Sequence, residues 1–193
     1  MFDFLKKKIE EVPIVPTGPA ATQDELVERV VEALGVSDDD TILQIGYSGD
    51  AAIKHILPLL TQGRLGGIDR DAGKVRLAND LSPEAFRSFK LEFKEGVVSR
   101  LPFTDEHFSK VFALDTVGTW LNIPKGLQEI SRVLLPLGRV VFSLPPASRR
   151  VGENVPPAEI RGLLQDAGFE NMEVLPAPNA EASTIITAQK TFS

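Results

Sequence analysis

Cysteine is absent from the chain, which excludes disulfides, thiolate metal sites, iron–sulfur clusters and cysteine nucleophiles. Histidine is nearly absent too: His55 and His107 are the only 2, too few for a multi-histidine metal centre, so no metal is expected. No apolar run approaches the roughly 18 residues of a membrane span. The start of the chain lacks an apolar signal-peptide core with a small-residue cleavage site. Basic residues are outnumbered, 21 Lys and Arg against 27 Asp and Glu, for a net charge of −6. That balance argues against nucleic acid as a partner, because phosphate contacts need clustered Lys and Arg. What is present, 42% hydrophobic and 25% charged residues over 193 positions, is ordinary for a globular chain with one sizeable core. The expectation is a soluble, cytoplasmic domain whose partners are small molecules or proteins.

The first 20 residues differ from the rest. Residues 1–11 read as a short helix with Phe2, Leu5 and Ile9 on one side and Lys6 to Lys8 beside them. Pro13, Pro16 and Pro19 then suit an extended linker. This head is either a docking segment for a partner or a membrane surface, or a piece that packs on the domain edge. Glu10 and Glu11 weaken its basic face and favour the second reading. The domain proper is expected over residues 21–193.

From Thr22 the pattern becomes regular. Thr22 and Glu25 have capping-box spacing, and Leu26, Val27, Val30, Val31 and Leu34 recur at helical intervals before Gly35. Short apolar runs at 41–45, 64–69, 89–93, 110–114 and 138–144 read as strands. Helical patterns at 49–60, 72–81, 124–135 and 160–167 lie between or after them. Two late strands, 171–174 and 184–190, form a hairpin. Strands alternating with helices imply right-handed crossovers and a mostly parallel sheet covered on both faces, with the last strand antiparallel.

In such a sheet the ligand crevice lies beyond the carboxyl ends of the strands. The first turn reads Gln44-Ile45-Gly46-Tyr47-Ser48-Gly49-Asp50. Its glycines let backbone approach a ligand, and free amides at the following helix start favour an anion. Ser48 and Asp50 interrupt the dinucleotide glycine spacing, which disfavours a nicotinamide-dependent oxidoreductase. Asp69 closes the second strand, where an acid can accept both hydroxyls of a ribose. A helix-capping role, shared with Asp71, is the alternative for it.

Three later stretches carry a resemblance: Glu95-Gly-Val-Val-Ser-Arg-Leu-Pro-Phe-Thr-Asp-Glu-His-Phe108, Gln128-Glu-Ile-Ser-Arg-Val-Leu-Leu-Pro-Leu-Gly-Arg139 and Glu159-Ile-Arg-Gly-Leu-Leu-Gln-Asp-Ala-Gly-Phe169. They are similar, in order, to segments of class I S-adenosylmethionine-dependent methyltransferases that act on small molecules. The resemblance runs from about residue 24 to 190. It implies a Rossmann-like sandwich with a seven-stranded sheet and S-adenosylmethionine as cofactor. By the same resemblance Gly46, Tyr47, Ser48 and Gly49 wrap the methionine half, and Asp69 binds the ribose with Arg70 beside the adenine. Val97 and Val98 edge the adenine, while Leu114 and Asp115 lie under the methyl-bearing sulfur.

Departures fall in the same places. Gln44 stands where the family has an acid, Ser48 and Asp50 where it has glycines, and Val97 where an acid often holds the adenine amine. Each lost charge-assisted hydrogen bond costs roughly 1.5–3 kcal/mol, so two uncompensated losses weaken binding by about two to four decades. These departures support a rival reading, a methyltransferase-like binding or assembly module without catalysis. For an enzyme, acceptor-side candidates follow the fourth strand: Asp115 to orient or deprotonate a hydroxyl or amine, Thr116 and Thr119 beside it, and Trp120 as an aromatic wall. Core packing for Trp120 and a capping role for Asp115 compete with these assignments. His107 reads as a solvated loop residue, His55 as a surface or packing residue, and Arg149 and Arg150 as a loop pair near the crevice.

Overall fold

Strand β1 (Thr41–Ile45) is apolar or buried on both faces, so the chain must supply a layer on each side of it. Ile42 packs into one core cluster, and Leu43 and Ile45 into another on the opposite face. The computed structural model describes residues 22–146, 148 and 155–192. The expected head, residues 1–20, and the pair Arg149 and Arg150 lie outside the described residues.

Helix α1 (Gln23–Leu34) carries the predicted capping box, with Thr22 N donating to Glu25 Oε2 at 2.8 Å and Glu25 N to Thr22 Oγ1 at 3.2 Å. After β1 come α2 (Ala51–Ile56), β2 (Arg64–Asp69), α3 (Ala72–Asp80), α4 (Pro83–Arg87) and β3 (Leu91–Glu95). Then follow β4 (Phe108–Leu114), α5 (Ile123–Val133), β5 (Leu134–Leu144), α6 (Pro157–Asp166), β6 (Phe169–Leu175) and β7 (Thr184–Lys190). The seven strands form one sheet in the order β3-β2-β1-β4-β5-β7-β6. All pairings are parallel except those of β7, which runs antiparallel to both β5 and β6. Residues of α1, α2, α3 and α4 share the cluster on one face, and residues of α5 and α6 the cluster on the other. This is the Rossmann-like sandwich expected from the sequence.

Several boundaries differ from expectation, each for a local reason. Helix α2 stops at Ile56 and tightens into a 3-10 turn over Leu57–Leu59, because Pro58 has no amide to donate back to the helix. Helix α5 stops at Val133 rather than 135: Pro136 biases the residue before it toward extended backbone, and β5 begins at Leu134. β3 is shifted two residues along from the expected 89–93. Phe89 has φ +57° and is 68% exposed, ending the short α4 that the sequence reading missed.

Arg132 of α5 ties the β3–β4 connection to the helix layer. Its guanidinium donates to Leu101 O at 3.1 Å, Phe103 O at 2.9 Å and Asp105 Oδ1 at 2.6 Å. It also donates to Glu129 at 2.8 and 3.2 Å, while Glu129 Oε2 accepts from Leu101 N at 2.9 Å. The Arg132 hydrogen bond, helped by the Leu101 amide and opposed by burial, holds the Glu129 carboxyl below its usual value. A depressed folded-state pKa stabilises the fold above the unfolded value near 4.5 and loses that contribution as pH falls through the folded value. Arg132→Ala is therefore expected to lower stability by about 2–3 kcal/mol at pH 7. It should also flatten the decline below pH ~4.5, as read from urea midpoints against pH; an unchanged acid limb would show that the pair carries no linkage.

Candidate functional site

The carboxyl ends of β1, β2 and β4 open into a cavity of about 560 Å³, within the range of small-molecule and cofactor sites. The turn after β1 forms one wall. Gly46 has φ +80° and Gly49 φ +116°, conformations L side chains rarely adopt. A Cβ on Gly46 would stand 3.0 Å from Thr116 Cγ2, and one on Gly49 2.9 Å from Gln23 Nε2. The turn is thus gripped between the loop after β4 and the start of α1, where Gln23 Nε2 also donates to Ser48 O.

Asp69, at the end of β2, is 8% exposed and lines the cavity. Its Oδ2 accepts from Tyr47 N at 2.8 Å and its Oδ1 from Asp71 N at 2.9 Å, with Lys74 Nζ 3.9 Å from Oδ2. Capping of α3 falls to Asp71, which accepts from Gly73 N and Lys74 N. Asp69 instead fastens the turns after β1 and β2 together. A carboxylate accepts about four hydrogen bonds, so this duty is compatible with a ribose diol.

Tyr47, Ser48, Arg70, Val97, Val98 and Leu114 line the same cavity. Val98 is buried and Val97 half exposed, and Arg100 N donates to Val97 O at 3.0 Å in the turn that follows. Gly126 lets α5 approach this turn, since a Cβ there would lie 3.0 Å from Val98 Cγ1. The Tyr47 ring meets Phe93 edge-on at 5.9 Å. Burial, and then the charge of Asp50, push its phenol up, so it stays neutral.

The departures from the family pattern are arranged unevenly. Gln44 is fully buried in β1 and outside the cavity lining; its Nε2 donates to Gly46 O at 3.0 Å and its Oε1 has no hydrogen-bond partner among the described residues. Gly49 is likewise outside the lining. Asp50 pairs with Lys54, whose hydrogen bond holds the carboxyl below its usual value, and it does not line the cavity. Ser48 does line it, and its buried hydroxyl has no partner among the described residues. A buried hydroxyl without a partner at a ligand wall fits a polar group arriving there.

On the far side of the cavity Asp115 follows β4 with φ +53°. Its Oδ1 accepts from Ser143 Oγ at 2.7 Å and its Oδ2 from Ser183 Oγ at 2.9 Å. Thr116 Oγ1 donates to Ile45 O at 3.1 Å, and Thr119 Oγ1 to Thr116 O at 2.7 Å. Trp120 is both wall and core, lining the cavity while its ring meets Phe142 edge-on at 5.7 Å. Sequence reasoning missed Leu26 and Arg29 of α1, and Ser183 before β7, all on the lining. In the sequence α1 reads as packing alone, and no motif marks Ser183.

His107 is exposed with its ring edge-on to Phe108, and His55 Nδ1 sits 2.9 Å from Ala51 O in its own helix. Neither lines the cavity. Among the described residues no group of three or more His, Cys, Asp or Glu could hold a metal ion, and no helix is long and apolar enough to cross a membrane.

A family model described as a methyltransferase domain matches residues 43–142, a little over half of the chain. The Bacillus subtilis protein YrhH, which bears a methyltransferase name, is 30% identical over 146 residues, covering 76% of this chain and 77% of that one. Erythromycin 3''-O-methyltransferase of Saccharopolyspora erythraea is 28% identical over 142 residues, covering 72% of this chain but 46% of the relative. The crystal structure of a SAM dependent methyltransferase from Aquifex aeolicus superposes with a TM-score of 0.69. It is 18% identical, covering 84% of this chain and 88% of that one, a likeness of fold. With the glycine turn, the acid ending β2 and the sheet order already in hand, the match across 43–142 settles the family: this chain belongs to the class I S-adenosylmethionine-dependent methyltransferases.

Proposed function

We propose that the protein transfers a methyl group from S-adenosylmethionine to a small-molecule acceptor. The observation that carries this reading is the Asp69 carboxylate on the lining of a cavity of about 560 Å³, whose opposite wall holds Asp115 and Trp120. Asp69 binds the ribose hydroxyls, with Arg70 and Val97 beside the adenine and Val98 beneath. The turn from Gly46 to Ser48 holds the methionine half, and the unpartnered Ser48 hydroxyl gains its hydrogen bond there. Bound cofactor supplies an electrophilic methyl on a sulfonium, so the protein's task is alignment and exclusion of water. Leu114 and Asp115 lie toward that methyl, and Asp115 orients the acceptor. A small acceptor accords with the erythromycin relative, whose name describes O-methylation of a small molecule.

The rival, a non-catalytic module, rests on Gln44, Ser48, Asp50 and Val97. Asp50 lends it less weight than the sequence suggests, because its charge pairs with Lys54 away from the lining. A thermal melt separates the readings. Cofactor at about 100 times its dissociation constant adds roughly 2.7 kcal/mol, which raises the melting temperature of a domain this size by about 5–10 °C. Absence of any shift at millimolar S-adenosylmethionine and S-adenosylhomocysteine, with no calorimetric heat, would leave the non-catalytic reading standing.

Asp69→Ala is expected to weaken S-adenosylhomocysteine binding by about 100-fold, since two hydroxyl bonds to a charged acceptor are lost. Titration calorimetry checks it, and unchanged affinity would refute the ribose assignment.

A further inference from the structure

Asp115 is held more firmly than a residue at a cavity wall requires. Its left-handed backbone is one that Asp and Asn adopt more readily than other non-glycine residues. Its amide donates to Ser143 Oγ at 2.8 Å and to Ser143 O at 3.2 Å. The same serine hydroxyl returns its single proton to Asp115 Oδ1 at 2.7 Å. Ser183 commits its proton to Oδ2 at 2.9 Å. Both serines are buried, at 0% and 3% exposure. Ser183 is itself fixed from the helix layer: Arg29 donates to Ser183 O at 2.9 Å and to Pro176 O at 3.1 Å, joining both ends of the β6–β7 connection to α1.

Two segments far apart in the chain therefore converge on one carboxylate, one hydroxyl to each oxygen, and Arg29 braces the second of them from α1. Simple packing at a cavity wall needs no such orientation, whereas recognition of a donor does. Resting on the methyl-transfer reading above, we infer that Asp115 is the acceptor-side anchor and that Ser143 and Ser183 are its positioning residues. The acceptor is a hydroxyl- or amine-bearing small molecule that donates a hydrogen bond to this carboxylate. A donated hydrogen bond leaves the acceptor's lone pair to be turned toward the methyl.

The test needs no knowledge of the acceptor. Sinefungin carries an amine where S-adenosylmethionine carries its methyl-bearing sulfonium, and S-adenosylhomocysteine carries neither amine nor positive charge there. Calorimetric titration of both into the full chain is expected to show sinefungin binding about tenfold tighter or more. In Asp115→Asn, which keeps the left-handed backbone accessible, the ratio should fall to near one. In Ser143→Ala and Ser183→Ala it should fall several-fold while S-adenosylhomocysteine affinity stays within about twofold, and Ser183→Thr, which retains the hydroxyl, should restore it.

A purely structural role for the serines would instead lower the melting temperature and weaken both ligands equally, which overturns the assignment. Should Ser143→Ala not fold, Ser183→Ala and Asp115→Asn carry the same comparison. S-adenosylhomocysteine binding with a ratio unmoved by any variant overturns the anchor alone. Failure of the wild type to bind either ligand overturns the cofactor reading and the anchor with it.

Discussion

Between β1 and β4 the sheet changes the direction in which strands are added. β2 and β3 extend it on one side of β1, while β4, β5, β7 and β6 extend it on the other. The chain leaving β1 enters α2 on one face, and the chain leaving β4 goes on to α5 on the opposite face. Neither crossover passes over the gap, so a crevice at that end of the sheet is unavoidable. Polar groups reach the cavity wall from a strand's carboxyl end or from an element leaning over it, with Ser183 added from the amino end of the antiparallel β7. Gly46, Asp69, Val97 and Asp115 come from the first source, Gln23 and Arg29 of α1 from the second.

Charged side chains join the apolar packing of Tyr47, Val98, Leu101 and Val117 in holding the loops around this crevice. Asp69 ties the turn after β1 to that after β2 through two backbone amides. Arg132, at the other end of the β3–β4 connection, grips two of its carbonyls and so steadies the segment that carries Val97 and Val98. Loop backbone cannot be buried without partners, and a hydrogen bond to a charged group contributes more than one between neutral groups. Arg29 and Asp115 repeat the device on the opposite wall. The outcome is a wall whose position depends on four ionic side chains, each reaching backbone or hydroxyl groups from a different element.

Much of this was legible locally. The capping box at Thr22, the glycine turn after β1 and the acid ending β2 are all short-range patterns with fixed spacing. For the first two the physical causes lie within four or five residues of one another, and Asp69 is marked by the end of its own strand although its Tyr47 partner lies 22 positions away. What stayed hidden was long-range. Ser143 lies 28 positions from Asp115 and Ser183 68 positions from it, and nothing in either neighbourhood marks a site. Arg29 reads as the polar flank of an amphipathic helix until α1 is seen leaning over the cavity. The element boundaries differ for another reason: apolar periodicity runs on past Pro58 and Pro136, whereas α-helical hydrogen bonding ends at or before these prolines, which have no amide to donate.

The substitutions in the glycine turn look more damaging in sequence than in space. A turn of this type offers its ligand backbone, and backbone conformation is set where φ is positive, at Gly46 and Gly49, both of which are retained. Asp50 replaces a glycine two residues beyond Ser48, the last residue of the turn on the cavity lining, and its carboxylate finds Lys54 one helical turn on. Gln44 replaces an acid inside a fully buried strand, where an uncompensated carboxylate would carry a desolvation cost that a neutral amide avoids. Its amide still reaches Gly46 O and steadies the first glycine. Of the three, Ser48 alone puts a polar side chain on the wall, with a buried hydroxyl that has no partner among the described residues. On the proposed methyl-transfer reading, recognition at this turn moves from side-chain charge toward backbone and hydroxyl groups, while Asp69 and Asp115 keep their charge on the cavity wall.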